Sequence, residues 1–127
     1  MKIVVYNSHG QYAISRAELE ALHSLLPKKL WASVNEAHIT HSHPRGAEPF
    51  EFDAQRGVGY LICPVSQKTP AQRSQAISNL LVGLARVQAK SKFFLPLKER
   101  EAMAYRELLD EWLPKCEAEM ARLHASA

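Results

Sequence analysis

At 127 residues the chain has room for one ordinary domain, residues 1–127, that buries about two-thirds of its unfolded surface around a single core. A hydrophobic share of 46% with 23% charged residues is a globular composition, and a formal charge of +3 is too small to mark a nucleic-acid-binding protein by itself. The first apolar run, Ile3 to Tyr6, is too short for a signal-peptide core or a membrane span, so the expectation is a cytoplasmic protein with no membrane partner.

Lys2 to Tyr6 is rich in β-branched and aromatic residues and predicts a strand. Its nearly continuous apolar character suggests an interior position in a sheet, and Asn7-Ser8-His9-Gly10 closes it as a turn. Ser15 and Glu18 then form a capping box, with Ile14 placed to staple against Leu19, so a helix begins here. Leu19, Leu22, Leu25 and Leu26 make its buried stripe, and Pro27 disfavours helical geometry at Leu26 and stops it.

Asn35 to His43 alternates Ala37 and Ile39 against Glu36, His38 and Thr40, the pattern of a half-buried strand ended by Pro44 and Gly46. Glu48 to Ala54 alternates with Phe50 and Phe52 inward, Gln55-Arg56-Gly57 supplies a turn, and Val58 to Val65 is apolar on both faces. Residues 48–65 therefore read as an antiparallel hairpin. Thr69, Pro70 and Gln72 open the longest helical signal, Thr69 to Lys90, whose core face is Ile77, Leu80, Leu81, Leu84 and Val87. Gly83 in its interior costs about 0.5–1 kcal/mol relative to Ala, which points to close backbone packing or a tolerated defect.

Phe93 and Phe94 then sit where they can plug the end of the core, and a last helix begins near Leu97. Its apolar positions Tyr105, Leu109, Trp112, Cys116, Met120 and Leu123 run past Pro114, whose ring is expected to kink or break the helix. Together these elements predict an α+β two-layer domain in the order β-α-β-β-β-α-α, with a four-stranded mixed sheet and helices mainly on one face. Cys63 and Cys116 have no metal-type spacing and each lies in an apolar pattern, so both are expected as buried thiols.

Three of the six histidines fall in His38-Ile39-Thr40-His41-Ser42-His43. On a strand, His41 and His43 project to one face and His38 to the other, so at most His41 and His43 share a transition-metal site. A third ligand has to come from elsewhere, such as Asp53, Glu51 or His9. His38-Ile39-Thr40 also fits a His-x-Thr pattern used in pairs for phosphoester chemistry, but its mate, His124-Ala125-Ser126, falls at a C-terminus expected to fray. Lys90, Lys92, Lys98, Arg100 and Arg106 gather around the turn between the last two helices near Phe93, Phe94 and Tyr105. Glu99, Glu101 and Glu107 interrupt them, which favours a solvated face over a nucleic-acid interface.

Residues 58–109, a hairpin strand leading into a helix, a basic connector and a second helix opening with EREAMAYRELL, resemble the core of small zincin metallopeptidases. In that family the first helix carries His-Glu-x-x-His and the second often supplies a carboxylate from a Glu-x-x-Ala-like segment. The corresponding window here is Asn79-Leu80-Leu81-Val82-Gly83, so the resemblance implies an ancestry in which the peptidase chemistry has been lost. The functional expectation is accordingly a non-enzymatic binding or protein-interaction domain without a cofactor, with a metal-dependent hydrolase built on the histidines of residues 38–43 as the rival. Because the apolar stripe beyond Pro114 looks long enough to overhang a small domain, a homodimer through the C-terminal helix is a further expectation.

Overall fold

The computed structural model describes residues 1–6, 11–42, 48–63, 65–66, 69–89 and 97–125, with side chains for all of these except residues 11, 65–66, 89 and 97–105. Its main sheet has the order β1 (Lys2–Val5), β3 (Glu36–Thr40), β5 (Val58–Ile62), β4 (Phe50–Asp53). The first two pairings are parallel and the last is antiparallel, so the sheet is mixed. A two-residue strand β2 (Gln11–Tyr12) pairs antiparallel with β6 (Val65–Ser66). Helices α1 (Arg16–Leu25), α2 (Pro70–Ala89) and α3 (Leu97–Ala125) complete the expected α+β order.

Side-chain alternation decides which face the helices cover. Ile3, Ala37, Ile39, Leu61 and Phe50 share one parity across the ladder and all belong to the hydrophobic core, with Val5 and Phe52 packed against it. The helices bring Leu19 and Leu22 from α1 and Ile77, Leu80, Leu81 and Leu84 from α2, each no more than 1% exposed. Residues of the opposite parity, Lys2, Val4, Glu36, His38, Tyr60 and Glu51, lie outside that core on the second face.

The capping signals are realised at both helix starts. Ser15 Oγ accepts from the Glu18 N–H at 3.2 Å while a Glu18 oxygen accepts from the Ser15 N–H at 2.9 Å. Thr69 and Gln72 make the same reciprocal pair at 3.2 and 3.3 Å. Past α1, Lys28–Trp31 forms a 3-10 turn that drives Leu30 and Trp31 into the core, and Gln88 fastens α2 to it by donating to the Lys29 carbonyl at 2.7 Å.

Gly57 turns the β4–β5 hairpin with a φ of 69°, and a Cβ there would lie 2.4 Å from Asn35 Nδ2. Its carbonyl accepts from the Asn35 and Glu36 N–H groups at 2.7 and 3.2 Å, which stitches the hairpin to the start of β3. Gly83 has a different reason to be glycine. The Phe50 ring rests on it so closely that an added Cβ would lie 2.3 Å from Phe50 Cγ, so the interior glycine marks close packing.

Two expectations need correction and a third is narrowed. β1 is an edge strand, not an interior one; its apolar run is accounted for by Ile3 and Val5 packing on the helix side while Val4 is only half-buried. Of the kink or break expected at Pro114, the break does not occur, because the last helix runs through it as one element. The proline removes one donor, but Pro114 and Asp110, whose carbonyl loses that partner, are both exposed, so water can satisfy it. Finally, the apolar stripe after Pro114 does not overhang. Cys116 is 0% and Met120 1% exposed within a single chain, because α3 doubles back along α2 and completes the core of its own domain. The motive for a dimer through that helix is thereby removed.

Candidate functional site

The second face of the sheet carries the densest arrangement of functional side chains among the described residues. Val4, His38, Tyr60 and Glu51 are cross-strand neighbours in one row, with His38 and Tyr60 on the two central strands. The parallel register of β1 and β3 carries Tyr6, just beyond β1, to His38. The Tyr6 hydroxyl lies 3.1 Å from His38 Nδ1, and the two rings stand 5.6 Å apart. On the other side the Tyr60 ring meets the imidazole edge-on at 5.0 Å.

The second imidazole nitrogen fixes the proton arrangement. His38 Nε2 lies 2.9 Å from Glu36 Oε2, and that hydrogen bond, with the Lys2 ammonium 4.0 Å away, holds the Glu36 carboxyl below its ordinary range. A carboxylate only accepts, so Nε2 carries the hydrogen. Nδ1 then accepts from the Tyr6 hydroxyl when His38 is neutral and donates to the same oxygen when His38 is protonated. This is a Tyr–His–Glu chain with the order of a hydroxyl, a base and its orienting carboxylate. It lies on a sheet face, however, and not in a cleft.

A cleft that the described residues form lies elsewhere. A volume of about 370 Å³ opens between the 3-10 turn, the end of α2 and α3, with Leu30, Val87, Leu108 and Trp112 among its walls and Glu107 and Glu111 among its polar groups. It contains neither a nucleophile–base pair nor a histidine. Lys115 sits 4.4 Å over the Trp112 ring and 3.7 Å from Glu111, an exposed pairing along one helix.

Of the histidines proposed for a metal, His41 is exposed and its Nδ1 lies 3.4 Å from the Tyr12 hydroxyl. Tyr12 belongs to the helix-side core, so His41 and His38 do turn to opposite faces. His43 and His9 lie outside the described residues, while Glu51 and Asp53 fall on the His38 face. Among the described residues no group of three or more His, Cys, Asp or Glu side chains is placed to hold a metal ion. Of the basic residues, Arg106 is exposed on α3, Lys98 and Arg100 are placed by their backbone alone, and Lys90 and Lys92, with Phe93 and Phe94, lie outside the described residues.

Sequence reasoning missed a second cluster, at the junction of the three helices. Glu18 is 1% exposed, and its Oε2 lies 3.0 Å from His124 Nε2 and 3.7 Å from Arg73 Nε. Arg73 Nη1 is also 3.2 Å from His124 Nε2, so that nitrogen either donates to Glu18 or accepts from Arg73. His124 is therefore joined to Glu18 of α1 and Arg73 of α2 at the end of α3. It stands across the sheet from His38, so the two His-x-Thr-like segments do not converge. The capping box was the one available signal for Glu18, but a cap normally leaves its carboxylate in water. Cys63 and Cys116 are both buried, and burial pushes each thiol up to about 11, which makes them poor nucleophiles.

Comparison with family models, curated proteins and solved structures finds no match for this chain. Among the described residues, no helix is long and apolar enough to cross a membrane.

Proposed function

We propose that the protein is a non-enzymatic interaction domain that binds a protein partner on the face of its sheet opposite the described helices. The observation that carries this reading is the aromatic block Tyr6–His38–Tyr60, held in place by Glu36 on a face that the described helices leave to the other side. Rigid aromatic side chains with polar tips give large contact area at little entropic cost, which is why they concentrate at interfaces. Lys2, Glu36, Glu51 and Asp53 surround the block and supply a polar rim. The same carboxylates repel a phosphate backbone, so a nucleic acid is the poorer fit. In the zincin-like reading, the helix window Asn79–Gly83 serves packing, and Leu80 and Leu81 fill the core in the place where metal ligands would be needed.

The test compares partners captured by the tagged wild-type protein with those captured by a Tyr6→Ser, Tyr60→Ser variant and by an Arg122→Ala variant on α3. A protein retained by wild type and Arg122→Ala, lost by the face variant and rebound when purified supports the proposal. Identical capture by all three proteins, or none by any, counts against it. The rival hydrolase is read in the same preparation, without a histidine tag, by transition-metal analysis before and after chelation.

A further inference from the structure

We propose that β1 is the pairing edge of a two-fold homodimer, in which β1 of one protomer runs antiparallel to β1 of its partner about an axis at Val4. The two mixed sheets then join into one continuous sheet. The proposal concerns the sheet edge and does not depend on what binds its face.

Backbone geometry is the first support. The Lys2 and Tyr6 N–H groups donate inward to the Asn35 and Ile39 carbonyls at 3.4 and 3.0 Å, so the alternate residues Ile3 and Val5 point their N–H and C=O groups away from β3. Among the described contacts one group covers this edge: Arg16 Nη1 donates to the Ile3 carbonyl at 2.5 Å. A carbonyl has two lone pairs, so it can take a second donor. Exposed hydrophobicity gathers on the same strand. Among the described residues, the large hydrophobic side chains that are exposed are Met1 and Tyr6, at 41% each, flanking β1 at its two ends. An unpaired edge bearing apolar side chains is a template for strand pairing.

The edge is also complementary to itself. With the axis at Val4, Ile3 faces the partner's Val5 and Val5 faces the partner's Ile3, so every outward group of the strand finds a mate. On the face opposite the described helices Val4 meets the partner's Val4, and Lys2 comes opposite the partner's Tyr6, an ammonium against an aromatic ring. Moving the axis to Ile3 would bring two Arg16 guanidinium groups together. An isologous pairing uses the same patch twice, which favours a second copy over an unrelated strand.

Val4→Cys tests the register directly, because residues opposite each other in a non-hydrogen-bonded pair have Cβ atoms about 4.5–5.5 Å apart, close to disulfide reach. Under mild oxidation this variant is expected to form a disulfide-linked dimer much faster than Ala118→Cys, an exposed control on α3. Sedimentation of wild type from micromolar to millimolar concentration should show a monomer passing to a dimer, with about tenfold weaker self-association for Val4→Lys, which sets like charges opposite each other. Equal crosslinking of the two cysteine variants, or a wild type that stays monomeric throughout, overturns the proposal. So does a folded Val4→Lys that dimerises as well as wild type.

Discussion

Replacing Gly83 by Ala sets two effects of opposite sign against each other. Relief of an interior helical glycine stabilises by about 0.5–1 kcal/mol. Against this, the new methyl would lie 2.3, 2.4 and 2.6 Å from Phe50 Cγ, Cδ1 and Cβ, all close to the Phe50 backbone and unable to swing aside. The ring has no room to retreat toward the sheet, since a Cβ on Gly59 would be 2.6 Å from Phe50 Cζ. Overpacking of this kind costs about 1–3 kcal/mol, so the expected net effect is a loss of up to about 2.5 kcal/mol. In urea the midpoint should fall with the slope unchanged. Phe50→Ala, itself costing about 3–5 kcal/mol, removes two of the three nearest atoms and leaves the Cβ, so in that background Gly83→Ala should cost less than it does in the wild type. A Gly83→Ala protein more stable than wild type, with the same effect in both backgrounds, would refute the packing of Phe50 on this helix.

Leu80→Ala and Leu84→Ala, at positions 1% and 0% exposed, should each lower stability by about 2–5 kcal/mol through a cavity in the α2 face, read from denaturant midpoints. Glu18→Ala leaves Arg73 facing an empty buried site and removes the α1 cap, with an expected loss of about 3–5 kcal/mol, whereas Arg122→Ala, an exposed partner of Glu119, should leave the denaturant midpoint almost unchanged. His41→Ala with His43→Ala should leave the melting temperature almost unchanged, within about 0.5 kcal/mol, because His41 is exposed; a drop of several degrees contradicts that. The thiols of Cys63 and Cys116 are raised from 9.0 to about 11 by burial, so the native protein holds these protons where the unfolded chain releases them. Their stabilising contribution is complete below pH 9.0 and is lost as pH rises toward about 11, which urea titrations across that window would detect as a falling midpoint.

Local signals in the sequence located the elements well. Ser15 with Glu18 and Thr69 with Gln72 placed both helix starts, and the alternation around Phe50 and Gly57 gave the hairpin. The lateral order of strands was not legible, because a run such as Lys2–Val5 reads the same at the edge as at the centre; its place depends on β3 and β5 lying side by side. The candidate site divides the same way. Strand periodicity put His38 and His41 on opposite faces, but Tyr6 reaches His38 only through the parallel register, 32 residues apart in sequence. The tail misled for a related reason: how much apolar surface α3 can bury depends on its doubling back along α2, which no local pattern encodes.

The contact of Glu18 with His124 spans 106 residues and has a consequence for synthesis. The first helix is translated long before the segment that covers its buried carboxylate, and the core faces of α1 and α2 wait for Cys116 and Met120. During vectorial synthesis the core faces of α1 and α2 therefore stay open until Cys116 and Met120 have left the ribosome. Nascent chains arrested before Met120 should be good clients for chaperones that hold apolar surface, while those carrying the complete third helix should escape them.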